Sequence, residues 1–255
     1  MPGFRHNCSR LRSWLLFAPL YGVATVGYGL VSMAWSRFDP RGVRQHRTAQ
    51  AWARMLLRLA RVKVTVEGAG NLPAPTQPMV LVCNHLSYMD VPVLFACLPL
   101  QFRILAKAGL FRIPFLGGHL TRAQHLPVDQ SNVRASMRSL QQAAAAVREG
   151  LPLFIFPEAG RSFSGEMQEF VPGAFYIAIQ AQVPIVPLVL IGTYEILPPT
   201  TAHLRPGHVT LAILPPIPTT TLTRHDAPAL AAQVRDQMLA TYRAHHSEAA
   251  VLSSR

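Results

Sequence analysis

The chain has 255 residues; half are hydrophobic, only 14% are charged, and a net charge of +12 is carried almost wholly by arginine, the lysines being Lys63 and Lys107 alone. That length allows one domain with a sizeable core plus a membrane element, and so apolar a balance suits association with a membrane. The basic excess comes without zinc-finger spacing, an RNP-like aromatic strand or an isolated basic arm, which argues against nucleic acid, and Cys8, Cys83 and Cys97 show neither metal spacing nor a paired framework.

The first predicted element is apolar. No charged residue lies between Ser13 and Ser36; Trp14 and Trp35 bracket the stretch, with Arg12 before it and Arg37 after it. About 20 apolar residues span a bilayer core, and tryptophans sit at its edges. The stretch reads as a transmembrane or deeply inserted helix, or as a re-entrant pair if Pro19 breaks it. Its length and the basic helix that follows disfavour a cleaved signal peptide. That second helix is predicted over Gly42–Ala60. Trp52, Met55, Leu56 and Leu59 form one apolar stripe, with Arg47, Arg54, Arg58 and Arg61 on the other side. It is either an interfacial helix on anionic membrane lipids or a surface helix packed on the domain. Arginines are more numerous after the apolar stretch than before it, which places the rest of the chain on the cytoplasmic side of an inner membrane. Residues 1–61 are thus expected to anchor, and 62–255 to form an α/β domain.

Beyond residue 61 short strand-like runs alternate with helical ones. Strands are expected at Val62–Val66, Met79–Cys83, Arg103–Ala106, Leu126–Val128, Leu153–Phe156, Ile185–Leu190 and His208–Leu214. Helices are expected at Ser131–Arg148, Pro172–Ala181 and Ala227–His245. The alternation predicts a mostly buried mixed sheet surrounded by helices.

Directly after the second strand comes NHLSYMD, Asn84–Asp90. A hydroxyl is a poor nucleophile until a base takes its proton; imidazole is the usual base, and a carboxylate behind it fixes the tautomer. His85 and Asp90 have that chemistry and that order. The plain alternative is a loop histidine and an aspartate capping a helix that starts near Pro92. Downstream follow FPEAGRS at Phe156–Ser162 and VPIVPL at Val183–Leu188.

This ordered set resembles the glycerolipid acyltransferase family over roughly residues 60–215. The first block, NHxxxxD, is matched by Asn84, His85 and Asp90. The third, FPEGTRS, is matched by Phe156, Pro157, Glu158, Arg161 and Ser162, with Ala159 and Gly160 where the family usually has Gly and Thr. The fourth is matched by Val183, Pro184, Ile185 and Pro187; Ile104–Gly117 also resembles the family's link between the first two blocks. The second block, Gly-x-x-x-I-D-R, departs: QHLPVDQ keeps Asp129 but has Gln124 for the glycine and Gln130 for the arginine. A neutral amide cannot grip a phosphate as a guanidinium does. Either Arg122 or Arg134 takes over, or the acceptor head group is not the usual phosphate.

The resemblance implies acyl transfer to the free hydroxyl of lysophosphatidate, His85 as base and Asp90 as its orienter. Acceptor binding would fall to Asn84, Glu158, Gly160, Arg161, Ser162, Arg122 and Asp129. The donor would be acyl-CoA or an acyl carrier protein thioester, with no metal and no resident cofactor. Lys107 and Arg103 are placed to meet donor phosphates or a carrier's acidic patch, or are solvated strand-end charges. Pro184 and Pro187 are structural or wall an acyl pocket. Other readings are an acyltransferase for a different lysolipid such as lyso-ornithine lipid, a non-catalytic lipid-binding protein, and a hydrolase using Ser87 or Ser162. The last lacks a Gly-x-Ser-x-Gly elbow.

Overall fold

The computed structural model describes residues 17–113, 115–201 and 203–253. All seven predicted strands form: β1 Val62–Glu67, β2 Val80–Cys83, β3 Arg103–Lys107, β4 Leu126–Val128, β5 Leu153–Ile155, β6 Ile185–Ile191 and β7 Gly207–Ile213. They make one sheet in the order β1-β7-β6-β2-β5-β3-β4. All neighbours are parallel except β6 and β7, which pair antiparallel, so the sheet is mixed. Every residue of β2 and β6 is buried, as a continuous apolar run in a two-sided sheet demands.

The described helices are α1 Ala18–Trp35, α2 Val43–Ala60, α3 Asp90–Cys97, α4 Leu116–Arg122, α5 Val133–Arg148, α6 Gly173–Ala181, α7 Thr193–Ile196 and α8 Ala227–Ser253. Alternation along the strands divides the core in two. Val80, Val82, Leu153, Ile155 and Val189 face α5, α6 and α8. Leu81, Cys83, Phe154, Val186 and Leu188 face α2 and α3. Each large apolar side chain so enclosed contributes about 1.5–3 kcal/mol over leaving it in water. Helix α3 begins two residues before the start near Pro92 that the plain reading allowed, and helices α4 and α7 were not expected as elements. They are short, and the two adjacent glycines of α4, Gly117 and Gly118, conceal any helical period. Gly117 is required there, since a Cβ would lie 2.0 Å from the Phe111 carbonyl oxygen.

The N-terminal helices form a hairpin. Helix α1 is apolar on all sides; Val23, Val26, Leu30 and Val31 are at least half exposed. Pro19 sits in its first turn and does not break it. Ser13–Leu16, with Trp14, Arg12 and Cys8, lie outside the described residues. Among the described residues no helix is long and apolar enough to cross a membrane. Helix α2 packs inward through Ala53, Leu56, Leu57 and Ala60 and leaves Arg47, Arg54 and Arg58 in solvent. Trp52 joins the helices, its indole N–H donating to Thr25 Oγ1 at 3.1 Å.

The turn between them is latched to the sheet. Arg103, the first residue of β3, is 3% exposed and donates to Arg41 O at 2.7 Å and to Gln124 Oε1 at 3.0 Å. Gln124 in turn donates to Pro40 O at 2.6 Å. Gly42 (φ +67°) lets the turn approach, since a Cβ would stand 3.1 Å from the Arg103 guanidinium.

Candidate functional site

The strands β2 and β5 are parallel neighbours and end together, so the loops that follow them meet. The chain leaves β2 toward β3 on one side and reaches β6 on the other, which opens a crevice at the carboxyl ends. His85 and Glu158 both lie there.

His85 Nδ1 is 2.8 Å from Asp90 Oδ2. The same oxygen accepts the backbone N–H groups of Leu86 and Ser87, each at 2.8 Å. Asp90 is the first residue of α3, yet its carboxylate turns back onto the preceding loop rather than capping the helix. With Asp90 Oδ2 as its acceptor, the ring carries its proton on Nδ1 and leaves Nε2 as the basic nitrogen. The imidazole stacks on Phe156 with centroids 3.7 Å apart and 15° between planes. Burial pushes the His85 pKa below its usual 6.5, and the Arg161 charge adds to this; Asp90 opposes both.

The third block is tied to the first by three bonds. Glu158 Oε1 accepts the His85 N–H at 2.6 Å, His85 O accepts the Ser162 N–H at 2.9 Å, and Ser87 O accepts Arg161 Nε–H at 3.2 Å. The second oxygen of Glu158 accepts the Gln168 N–H at 2.8 Å. Glu158 is therefore a brace between loops. It does not pair with Arg161, which excludes the simple ion-paired turn. Burial raises the Glu158 carboxyl to about 7, against the two backbone donors. The loop 156–172 is held from outside by Arg235 of α8, which donates to Met167 O and Gln168 O.

Several expected ligands are placed otherwise. Asn84 is fully buried; its amide donates to Leu190 O at 2.9 Å and accepts Leu190 N–H at 2.8 Å, extending β2 onto β6. It braces the motif instead of facing a substrate. Ser162 is 1% exposed, with its hydroxyl 3.1 Å from Ser164. Ser87 donates to Leu197 O at 2.7 Å, and so it is no activated nucleophile. Gly160 borders open space. Asp129 follows β4, three strands from β2 and about 14 Å away at ordinary strand spacing; its carboxylate accepts the Ser131 N–H. Gln130 and Arg134 share that end and are exposed. Arg122 precedes β4 and so lies toward the opposite end of the strands; its guanidinium donates to Gly118 O. Arg103 is committed to the hairpin turn, and Lys107 is the exposed charge at the motif end of β3.

Two residues of the site were given no role from sequence. Phe156 reads as a strand end that opens the third block, and Tyr88 as an unspecified position inside NHLSYMD. Yet the Tyr88 ring lies under the Arg161 guanidinium, 4.5 Å from centroid to Cζ.

An apolar cavity of about 410 Å³ lies between the hairpin and α3–α4, lined by Val26, Leu30, Trp52, Phe95, Phe115 and Leu120 among others. Val91, next to Asp90, is in its wall; Pro184 and Pro187 are not.

Taken together the geometry offers a base, its orienting carboxylate, a nearby cation and an apolar chamber. The sequence profile of the Acyltransferase family matches residues 63–191. A 1-acyl-sn-glycerol-3-phosphate acyltransferase of Chlamydomonas reinhardtii is 36% identical over 208 residues, 80% of this chain and 61% of the algal one. The human 1-acyl-sn-glycerol-3-phosphate acyltransferase alpha is 33% identical over 71% of this chain and 64% of its own length. The Saccharomyces cerevisiae 1-acyl-sn-glycerol-3-phosphate acyltransferase is 30% identical over 91% of this chain and 76% of its own. This chain thus spans just under two thirds of the algal and human proteins. Its fold matches the crystal structure of PlsC, the 1-acyl-sn-glycerophosphate acyltransferase of Thermotoga maritima, with a TM-score of 0.75 over 92% of this chain and 97% of that one, at 23% identity. Shared profile, relatives and motif order agree: the chain belongs to the acyltransferase family.

Proposed function

We propose that this chain transfers a fatty acyl group from acyl-CoA or an acyl carrier protein thioester to the free hydroxyl of lysophosphatidate, giving phosphatidate at a membrane. The observation that carries the reading is the buried His85–Asp90 pair, with its free ring nitrogen in the crevice and Arg161 at its side. The relatives named for this reaction support the choice of acceptor.

In the proposed step Nε2 of His85 takes the hydroxyl proton as that oxygen attacks the thioester carbonyl. The C–O bond forms, the C–S bond breaks, and the imidazolium returns the proton to the departing sulfur. A thiolate leaves readily, so no covalent intermediate on the protein is needed. Asp90 steadies the imidazolium while it exists. Arg161 binds the acceptor phosphate, and the apolar cavity beside Asp90 takes an acyl chain. The hairpin lies in the cytoplasmic leaflet of an inner membrane, α1 in the hydrocarbon and the α2 arginines at head groups. Helix α1 is about 27 Å long at 1.5 Å per residue and is fastened along one side to α2, which suits lying in one leaflet.

Gln130 favours a second reading, in which a different lysolipid is the acceptor. The experiment is thiol release from an acyl-CoA in detergent micelles, with lysophosphatidate, other lysophospholipids and lyso-ornithine lipid compared. Release is expected to need lysophosphatidate and to fall by about 10³-fold or more in His85→Ala, the loss typical of removing an essential base. Release only with another lysolipid would move the acceptor. Substantial turnover by His85→Ala would remove it as the base.

A further inference from the structure

Arg161 stands among neighbours that orient it without neutralising it. Its Nε–H is held by Ser87 O, and its guanidinium carbon stands over the Tyr88 ring, 4.5 Å from the centroid. No carboxylate lies within ion-pair distance of it among the described residues. The backbone that carries the ring is tied down. The Tyr88 N–H donates to Leu197 O at 3.3 Å, the Ser87 hydroxyl donates to the same oxygen, and Met89 N–H donates to that hydroxyl. The Tyr88 ring itself is 45% exposed, so burial does not explain an aromatic residue at this position.

We propose that Tyr88 is a positioning residue for Arg161, a flat platform that fixes the plane in which the guanidinium presents its two terminal amino groups to the acceptor's phosphate. This rests on the reading of Arg161 as the acceptor ligand. A free arginine carries about 2 kcal/mol of rotamer entropy, and a ligand that must order it binds more weakly. With one face stacked and Nε occupied, the guanidinium keeps only its in-plane terminal N–H groups, the fork that fits two phosphate oxygens. A single fixed fork does in part what a second arginine at Gln130 would otherwise do.

The test uses the full chain in detergent micelles. Equilibrium binding of lysophosphatidate and KM for lysophosphatidate and for an acyl-CoA are measured for the wild type, Tyr88→Phe, Tyr88→Leu, Arg161→Ala and the double variant Tyr88→Leu/Arg161→Ala. Tyr88→Leu should weaken lysophosphatidate, in Kd and KM alike, by about two- to fivefold, the range of an exposed cation–π contact. The acyl-CoA KM should stay unchanged, and Tyr88→Phe, which keeps the ring face, should match the wild type. In the Arg161→Ala background Tyr88→Leu should add nothing. Unchanged lysophosphatidate binding in Tyr88→Leu would overturn the proposal, as would an equal rise in donor KM or a full additional loss in the double variant. Arg161→Ala without weaker lysophosphatidate binding, or a wild type that does not bind it, would overturn the acceptor reading itself and the proposal with it.

Discussion

At the scale of single residues, the candidate site divides into groups proposed to do chemistry and groups that hold them. His85 must be neutral to act as a base, and burial has moved its pKa below 6.5. Activity should therefore rise with pH through the His85 midpoint below 6.5 and rise again near 7 as the Glu158 brace ionises, in the pH profile of kcat/KM. The other buried imidazoles do not disturb that limb: burial holds His46 at about 4 and His125 at about 3. Asp90→Asn removes the one influence that raises the His85 pKa, so its midpoint should move further down. The rate should fall about 10³- to 10⁴-fold, because an amide can select the wrong tautomer. Two backbone strains mark where the chain departs from its family's glycines. Ala159 has φ +57° and Gln124 has φ +58°. A side chain in the left-handed region costs about 1–2 kcal/mol. Ala159→Gly should raise unfolding stability by about 0.5–1 kcal/mol in urea titration. Gln124→Gly should not, because its amide bonds to Pro40 and Arg103 would go with the side chain. The motif residues were legible from sequence; the division of labour was not. Asn84 and Glu158 read as ligands because polar residues in a motif invite that reading. Only the sheet register shows that their partners are the backbone of Leu190, His85 and Gln168.

At the scale of elements, strands were easier to read than helices. A buried parallel strand is a continuous apolar run, and β2, β5 and β6 are runs of that kind. Helix α2 showed its exposed arginine face, but of the predicted Trp52–Leu59 stripe only Leu56 is on its inner face, which is completed by Leu57 and by Ala53 and Ala60, small residues that let α3 approach. Helix α4 was invisible: seven residues, two of them glycine. The first helix was read as apolar and the second as basic and amphipathic, and both are so, but the attachment of their turn through Arg103 could not be foreseen, since the charge reads as a strand end. Helix α1 exposes Val23 at 70% and Leu30 at 53% to its surroundings. Val23→Asp should release the chain from anionic lipid vesicles in a flotation assay while leaving the thermal midpoint unchanged, because that side chain is not enclosed and does not line the cavity. In the wild type, salt should weaken vesicle binding only in part, since it screens the α2 arginines and leaves the apolar contribution of α1.

At the scale of the whole molecule, direction of travel along the sheet decides what gathers and what does not. Asp129 and Arg122 are seven residues apart, and sequence alone put both near the acceptor. Strand β4 runs between them, so Asp129 emerges at the motif end and Arg122 stays toward the other. The distribution of the seven strands was visible in the sequence; their order, which sets Asp129 three strands from β2, was not, because parallel pairing depends on contacts far apart in the chain. The bonds that run both ways between His85 and the 158–162 loop have a consequence for motion. The His85 amide is covered by Glu158, the Ser162 amide by His85, and the Gln168 amide again by Glu158. Lifting the loop from the first block uncovers the His85 and Ser162 amides together, so those two would share a single protection against solvent exchange, whereas the Gln168 amide is bonded within the loop and keeps its partner. The base and the cation therefore fluctuate as one body, and the distance between them is steadier than the loop that carries either.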